Sequence, residues 1–267
     1  MVAQLHHERI ARSDASPTQW LALTHGIYGA GMNWRGIARQ LVDRRRDWGV
    51  VLVDLRLHGR SSGGEPPHTI AACADDVAAL CGELGDIRAL AGHSFGGKVM
   101  LAARDRVAVD QTWLLDSSPV ARGAAAIETT GAAIVLDLLD RLPRVWARRD
   151  EFVAALVAAG QGAVIATWLG TNVVAAPDGT YVMRLDTAGV RALLTDYFEQ
   201  DLWASAMDPT RGALHVVIAE RSDTIDTATR ARLDAAPPHV HVHRVPADHW
   251  LHVEAPAAVV ELFAAGL

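Results

Sequence analysis

The stretch Ile87-Arg88-Ala89-Leu90-Ala91-Gly92-His93-Ser94-Phe95-Gly96-Gly97-Lys98-Val99-Met100 decides how the chain is read. Ile87 to Ala91 is an apolar run of strand length, and Phe95 to Arg104 reads as a helix. They meet at Gly92-His93-Ser94-Phe95-Gly96, a G-x-S-x-G motif. The glycines let the chain turn sharply enough to project the serine above a sheet edge. The helix that follows aims its first N–H groups at negative charge developing there. A bare G-x-S-x-G is a weak signal, since glycine and serine are common in loops. At a strand–helix junction preceded by two other strand–helix units it becomes specific.

Working outward, Trp20 to Thr24 reads as a strand ending at His25-Gly26, and Asn33 to Arg46 as a helix. Val50 to Asp54 is a second strand, followed by a helix over Thr69 to Gly82 with Thr69 as N-cap. After the motif comes a fourth strand at Thr112 to Leu115. From about Val120 to Ala206 the alternation stops and only helical stretches broken by Gly, Pro and Asn are predicted. It resumes with a strand at Leu214 to Ala219, a helix at Thr227 to Asp234, a strand at His239 to Val245 and a closing helix from Pro256 to Ala265. The organisation predicted is an α/β core formed by residues 1–119 and 207–267, with a helical insertion at 120–206.

Composition agrees. Of 267 residues half are hydrophobic, enough for a buried parallel sheet without staples. The net charge of −6 offers no basic field for nucleic acid. Cys73 and Cys81 lie eight residues apart on one predicted helix. Their Cα atoms would be roughly 12 Å apart, too far for a disulfide. The opening MVAQLHHERI lacks the basic start and apolar run of a signal peptide, so a cytoplasmic protein is expected. Phe152 to Pro177 carries no charge and is long enough for a membrane span. Gly160-Gln161-Gly162 and Gly170-Thr171-Asn172 break it, so two short buried helices are predicted instead.

A serine hydroxyl needs a base, and His249 in Ala247-Asp248-His249-Trp250-Leu251-His252 falls in the loop after the last predicted strand. It is the predicted base of Ser94, with His252 in reserve. The acid has two candidates. Asp223 follows the strand ending at Ala219, and Asp116 ends the preceding core strand. Either could orient the imidazole, and Asp223 is preferred. The amides of Ile27 and Phe95 form the expected oxyanion hole. Tyr28, Trp34, His93, Trp168 and Trp250 are expected to bind substrate.

With these residues in view, the chain resembles the α/β-hydrolase superfamily, in particular its small esterase branch bearing a helical cap. His25-Gly26 with Gly29, Asp54-Leu55-Arg56-Leu57-His58-Gly59-Arg60-Ser61, the serine motif, Asp116-Ser117-Ser118-Pro119 and His249-Trp250-Leu251-His252 carry the likeness, which runs from about residue 20 to 262. It implies an α/β-hydrolase fold with a mostly parallel eight-stranded sheet, a cap over the site, and cofactor-free hydrolysis of acyl esters or thioesters. Some members of that branch rely on the Asp116 position for the acid. Asp248 stands where the superfamily often has glycine, and its charge would raise the pKa of His249.

Other features read more plainly. His239, His241 and His243 alternate on one strand face, yet no ligand partner accompanies them. A solvated edge is predicted rather than a metal site. Asp54, Arg56 and His58 are read as knitting the loop below the site. Lys98 would either anchor the motif or bind a carboxylate at the rim. The function expected is hydrolysis of short to medium acyl esters by a Ser-His-Asp triad through an acyl-enzyme. Thioesterase, lactonase or perhydrolase chemistry on the same triad is the alternative, and so is a low-turnover ligand-binding homologue. A small-molecule ester is the expected partner, with neither nucleic acid nor membrane, in a monomer or homodimer.

Overall fold

The computed structural model describes every residue except 62–63, 124–126 and 128–129. In chain order the first elements are β1 (His7–Ile10), β2 (Gln19–Thr24), α1 (Arg35–Arg44), β3 (Trp48–Val53), α2 (Ile70–Leu84), β4 (Ile87–His93), α3 (Phe95–Ala103) and β5 (Gln111–Leu115). Then come α4 (Gly131–Arg141), β6 (Val145–Trp146), α5 (Arg149–Ala158), α6 (Ala163–Leu169), β7 (Val173–Ala175), β8 (Tyr181–Met183), α7 (Thr187–Glu199) and α8 (Trp203–Ala206). The chain closes with β9 (Ala213–Ala219), α9 (Thr227–Asp234), β10 (Val240–Val245), α10 (Leu251–Glu254) and α11 (Pro256–Gly266).

The main sheet runs β1-β3-β2-β4-β5-β9-β10, and every neighbouring pair is parallel except β1 with β3. Its central strands are apolar on both sides because helices cover both faces. Ile37 and Leu41 of α1 and Val259 and Phe263 of α11 pack on Leu21, Leu23, Val50 and Trp113. On the other face Val77 and Leu80 of α2 and Val99 and Met100 of α3 meet Ala22, Val51 and Leu90. From β2 the chain steps to one side for β3 and returns to the other for β4. That reversal opens a crevice at the carboxyl ends of β2 and β4, where ligands bind in open α/β sheets.

The α/β-hydrolase fold expected from the sequence is therefore present, with seven strands in the main sheet among the described residues rather than eight. Before β1 the chain makes an isolated bridge at Gln4, and the His6 carbonyl accepts the Asp54 N–H at 2.9 Å. The N–H of Ala3 instead donates to Asp76 Oδ1 (2.6 Å) and that of His6 to Ser61 Oγ (2.9 Å). Thr69 caps α2 as predicted, its hydroxyl accepting from the Ala72 N–H at 3.1 Å. Gly85 ends the same helix at φ +76°, a left-handed position that suits glycine.

Residues 120–206 depart from the all-helical expectation. β6, β8 and β7 form a small antiparallel sheet. Strands of two or three residues are too short to register as an alternating pattern. The Ala176-Pro177-Asp178-Gly179-Thr180 hairpin sets the register of two of them, with the Gly179 N–H bonded to Ala176 O at 3.0 Å. Among the described residues, no helix is long and apolar enough to cross a membrane.

The Asp54–His58 segment knits the loop under the crevice. Asp54 accepts from the Gly31 and Arg60 N–H groups (2.6 and 2.8 Å), and His58 Nδ1 donates to Arg56 O (2.8 Å). Arg56 grips Asp76 through two bonds of 2.6 and 2.8 Å, both side chains being buried. Lys98 anchors rather than facing a rim. Its buried Nζ donates to the carbonyls of Val120 (2.9 Å), Tyr197 (2.7 Å) and Gln200 (3.0 Å), tying α3 to both ends of the insertion. Burial pushes its pKa down to about 8.

β10 is an edge strand of the main sheet, as expected, with His241 exposed and His239 and His243 half-buried. His243 Nε2 lies 3.1 Å from Nδ1 of His215 on β9, and the His215 ring stacks on Trp113 at 3.8 Å. No group of three or more metal-ligating side chains is assembled among the described residues.

Candidate active site

Ser94 sits at the tip of the turn between β4 and α3 with φ +53° and ψ −119°, a conformation L-residues avoid. Close contacts on either side enforce it. A Cβ at Gly92 would lie 2.2 Å from Gly96 O, and one at Gly96 2.3 Å from His25 O. Only glycine admits the approach of three backbone segments at this point. The Ser94 N–H is held by Leu115 O at 3.0 Å.

The serine opens into a cavity of about 420 Å³. Ile27 and Phe95, the two expected oxyanion donors, both line it beside Ser94. Phe95 heads α3, so its N–H is one of the first-turn donors that a helix leaves unpaired. The five residues expected to bind substrate all reach the lining. Their roles diverge there. Tyr28 is also a tie, since its hydroxyl donates to Ala132 O of α4 (2.6 Å) and its carbonyl accepts from Asn172 Nδ2 (3.0 Å). Trp34 is fully buried behind His252. His93 Nε2 donates to His249 O at 2.8 Å and fixes the loop carrying that residue. Trp168 and Trp250 meet edge to face at 4.8 Å on the side of the insertion.

His249 lines the same cavity, and its Nδ1 is 2.7 Å from Asp116 Oδ2. A neutral imidazole that donates through Nδ1 keeps the Nε2 lone pair as a base. Asp116 is wholly buried, in a left-handed residue conformation of φ +46°. It also accepts from Ser222 Oγ (2.6 Å) and the Ala219 N–H (3.2 Å). Of the two candidate carboxylates, it is Asp116 and not the preferred Asp223 that lies within hydrogen-bond distance of His249 among the described residues. In Ser222-Asp223-Thr224 the flanking hydroxyls point inward, Ser222 to Asp116 and Thr224 to within 3.1 Å of His249 Nδ1. Asp223 between them is exposed on the cavity lining. Ser222 and Thr224 were not singled out from sequence, although their spacing of two around Asp223 was the available signal.

Asp248, the acidic neighbour of His249 in sequence, is engaged elsewhere. Its carboxylate accepts from Arg221 Nε at 3.0 Å, and Arg221 also pairs with Glu254. The reserve base, His252, packs on Trp34 with ring centroids 4.8 Å apart, and burial pushes its pKa down to about 4. Its Nδ1 and the Trp168 Nε1 are buried without a hydrogen-bond partner among the described residues. Both therefore suit a polar group arriving in the cavity.

The floor is a set of uncharged histidines. His25 Nε2 accepts from the Leu55 N–H (3.0 Å) while its Nδ1 donates to Gly26 O (2.7 Å), an arrangement only the neutral ring satisfies. Burial lowers the pKa of His25 and His93 and takes that of His58 down to about 3. With His252, four rings stay neutral in the folded protein while the unfolded chain protonates near pH 6.5. Their depressed values mean that stability is complete above pH 6.5 and is lost as pH falls toward the folded pKa. His58 and His252, held at about 3 and about 4, are each expected to cost roughly 2 kcal/mol by pH 5, and His25 and His93 act in the same direction. Urea unfolding followed from pH 7.5 to pH 5 checks this, and a flat stability profile would contradict it.

Comparison with known proteins agrees with this architecture. Residues 21–262 match the model of the Alpha/beta hydrolase family. An sn-1-specific diacylglycerol lipase, ABHD11, from Xenopus laevis is 28% identical over 250 residues, spanning 88% of this chain and 75% of that protein. Lipase LipV from Mycobacterium tuberculosis is 32% identical over 190 residues, 69% of this chain and 68% of that one. Among solved structures, an esterase of a marine microorganism superposes with a TM-score of 0.83 at 21% identity, over 99% of this chain and 100% of its own.

Proposed function

Because this chain belongs to the α/β-hydrolase family, we propose that it hydrolyses carboxylic esters with short to medium acyl chains through Ser94, His249 and Asp116. The observation that carries the reading is the 2.7 Å bond from buried Asp116 to His249, set in the same cavity as a serine on a strained elbow. The esterase and lipase names of its relatives agree with it.

Ser94 Oγ attacks the acyl carbonyl as its proton passes to His249 Nε2. The Ile27 and Phe95 amides hold the oxyanion, and Asp116 stabilises the imidazolium. The intermediate collapses, the departing alkoxide takes the proton from His249, and an acyl-Ser94 ester remains. Water deprotonated by His249 then attacks that ester, and as the acyl–Oγ bond breaks the proton passes from His249 to Ser94 Oγ, releasing the acid and restoring the enzyme. No step needs a metal or cofactor. Residues 120–206 act as the cap, tied to the Ile27–Tyr28 loop by the Ala132 and Asn172 contacts.

Cavity size and lining argue for the substrate class. About 420 Å³ lies toward the small end of ligand pockets. Ala132, Val135, Ile165 and Leu194 supply an apolar wall from the cap. Steady-state hydrolysis of p-nitrophenyl esters from acetate to dodecanoate is expected to peak in kcat/KM at a short or medium chain and fall for the longest. Activity that rises without limit along the series, or is absent throughout, would sink the assignment.

A further inference from the structure

A second cleft of about 370 Å³ lies behind the loop that carries Ile27 and Tyr28, at the junction of core and insertion. Ala30, Gly31 and Met32 form one wall, and Ser94 is not among its lining residues. Four arginines reach it: Arg35, Arg60, Arg149 and Arg184. Its two carboxylates are already engaged. Glu8 pairs with Arg35, and Asp54 accepts the Gly31 and Arg60 backbone N–H groups at 2.6 and 2.8 Å. Among the described residues, no carboxylate lies within ion-pairing distance of the guanidinium groups of Arg60, Arg149 or Arg184. Arg35 Nε is buried there with no hydrogen-bond partner.

Such a cluster is out of character for a chain of net charge −6. With Arg35 paired to Glu8, the guanidinium groups of Arg60, Arg149 and Arg184 still leave the cleft an excess of positive charge over its two carboxylates, which favours an anion among them. Their planar forks match phosphoryl and carboxylate oxygens two at a time. Arg149 is part-positioned already, with Nε donating to Val173 O at 3.1 Å and its guanidinium 5.6 Å from the Tyr181 ring centroid. Leu52, Leu57, Val174 and Leu185 floor the cleft, giving it apolar depth below a basic rim.

We propose that this cleft binds a small, multiply charged anion carrying phosphoryl or carboxylate groups, at a site separate from the Ser94 cavity. The ligand is an effector and not a substrate, because the Ser94 nucleophile lines the other cavity. The test is calorimetric titration of the full chain at low ionic strength with sodium pyrophosphate and, separately, citrate. Wild type and Ser94→Ala are expected to bind one equivalent of at least one of them, more weakly as salt is added. Arg149→Gln combined with Arg184→Gln is expected to weaken binding at least about tenfold. Arg148→Gln, next to the cleft and paired instead with Asp150, is expected to bind as wild type does. Pyrophosphate alone binding identifies a phosphoryl ligand, and citrate alone a polycarboxylate; either sustains the site. Failure of both to saturate below about 10 mM, or equal binding by a folded double variant, overturns it. Because Ser94→Ala is inactive under the ester-hydrolase reading, its binding curve separates the two claims.

Discussion

Asp116→Asn is expected to lower kcat about 10⁴-fold on any ester the wild type turns over, whereas Asp223→Asn stays within about fivefold. The cause is tautomeric. Asp116 is an acceptor only, ringed by donors from His249, Ser222 and the Ala219 N–H. An asparagine there has one oxygen, which Ser222 and Ala219 compete for, and its NH₂ then faces His249 Nδ1. The ring would place its proton on Nε2 and lose the lone pair that Ser94 needs. Asp223 is exposed and outside this network, so its charge can be removed without turning the imidazole. Steady-state kinetics on both variants, with circular dichroism to check folding, decides the matter. Loss in Asp223→Asn with retention in Asp116→Asn would reverse the assignment.

Arg56→Met carries the largest expected effect on stability. Arg56 and Asp76 form a doubly bonded ion pair with side chains 2% and 0% exposed. Methionine can fill the stem volume but leaves the buried Asp76 carboxylate without its cation and, among the described residues, held only by the Ala3 N–H. Breaking one side of such a pair costs about 3–5 kcal/mol. For a domain of this size that is a fall in Tm of roughly 10 °C. Arg56 also donates to the carbonyls of Glu65 and Ala72, so the loop after His58 loosens with it. Removing both charges, as Arg56→Met with Asp76→Leu, is expected to recover part of the loss. Calorimetric melting checks both, and a shift under about 2 °C in the single variant would contradict the account.

Much of this architecture was legible because the deciding signals are local. Apolar runs bounded by turns marked β2, β3, β4, β5 and β9, the alternation of His and Val marked β10, and Thr69 announced the start of α2 through capping chemistry that needs no tertiary context. The Gly92–Gly96 turn was readable because backbone crowding leaves glycine as the only choice. His93 and Trp250 could be placed near the site because they adjoin Ser94 and His249 in sequence. What failed to show was long-range. The choice between Asp116 and Asp223 turns on which side of a three-residue stretch faces inward, and β9 and β5 set that only when they pair. The pairing of Asp248 with Arg221, distant in sequence, was equally out of reach. Strands β6 to β8 exist through one another, each too short to bear a period.

The most direct test of the central claim is intact-protein and peptide mass spectrometry after reaction with a fluorophosphonate. Its phosphorus is attacked by an activated serine with loss of fluoride. The account predicts one adduct per chain, located on the peptide containing Ser94, absent in Ser94→Ala and much slower to form in His249→Ala. An unlabelled wild type, or an adduct that persists in Ser94→Ala, would show that Ser94 is not the activated nucleophile of this protein.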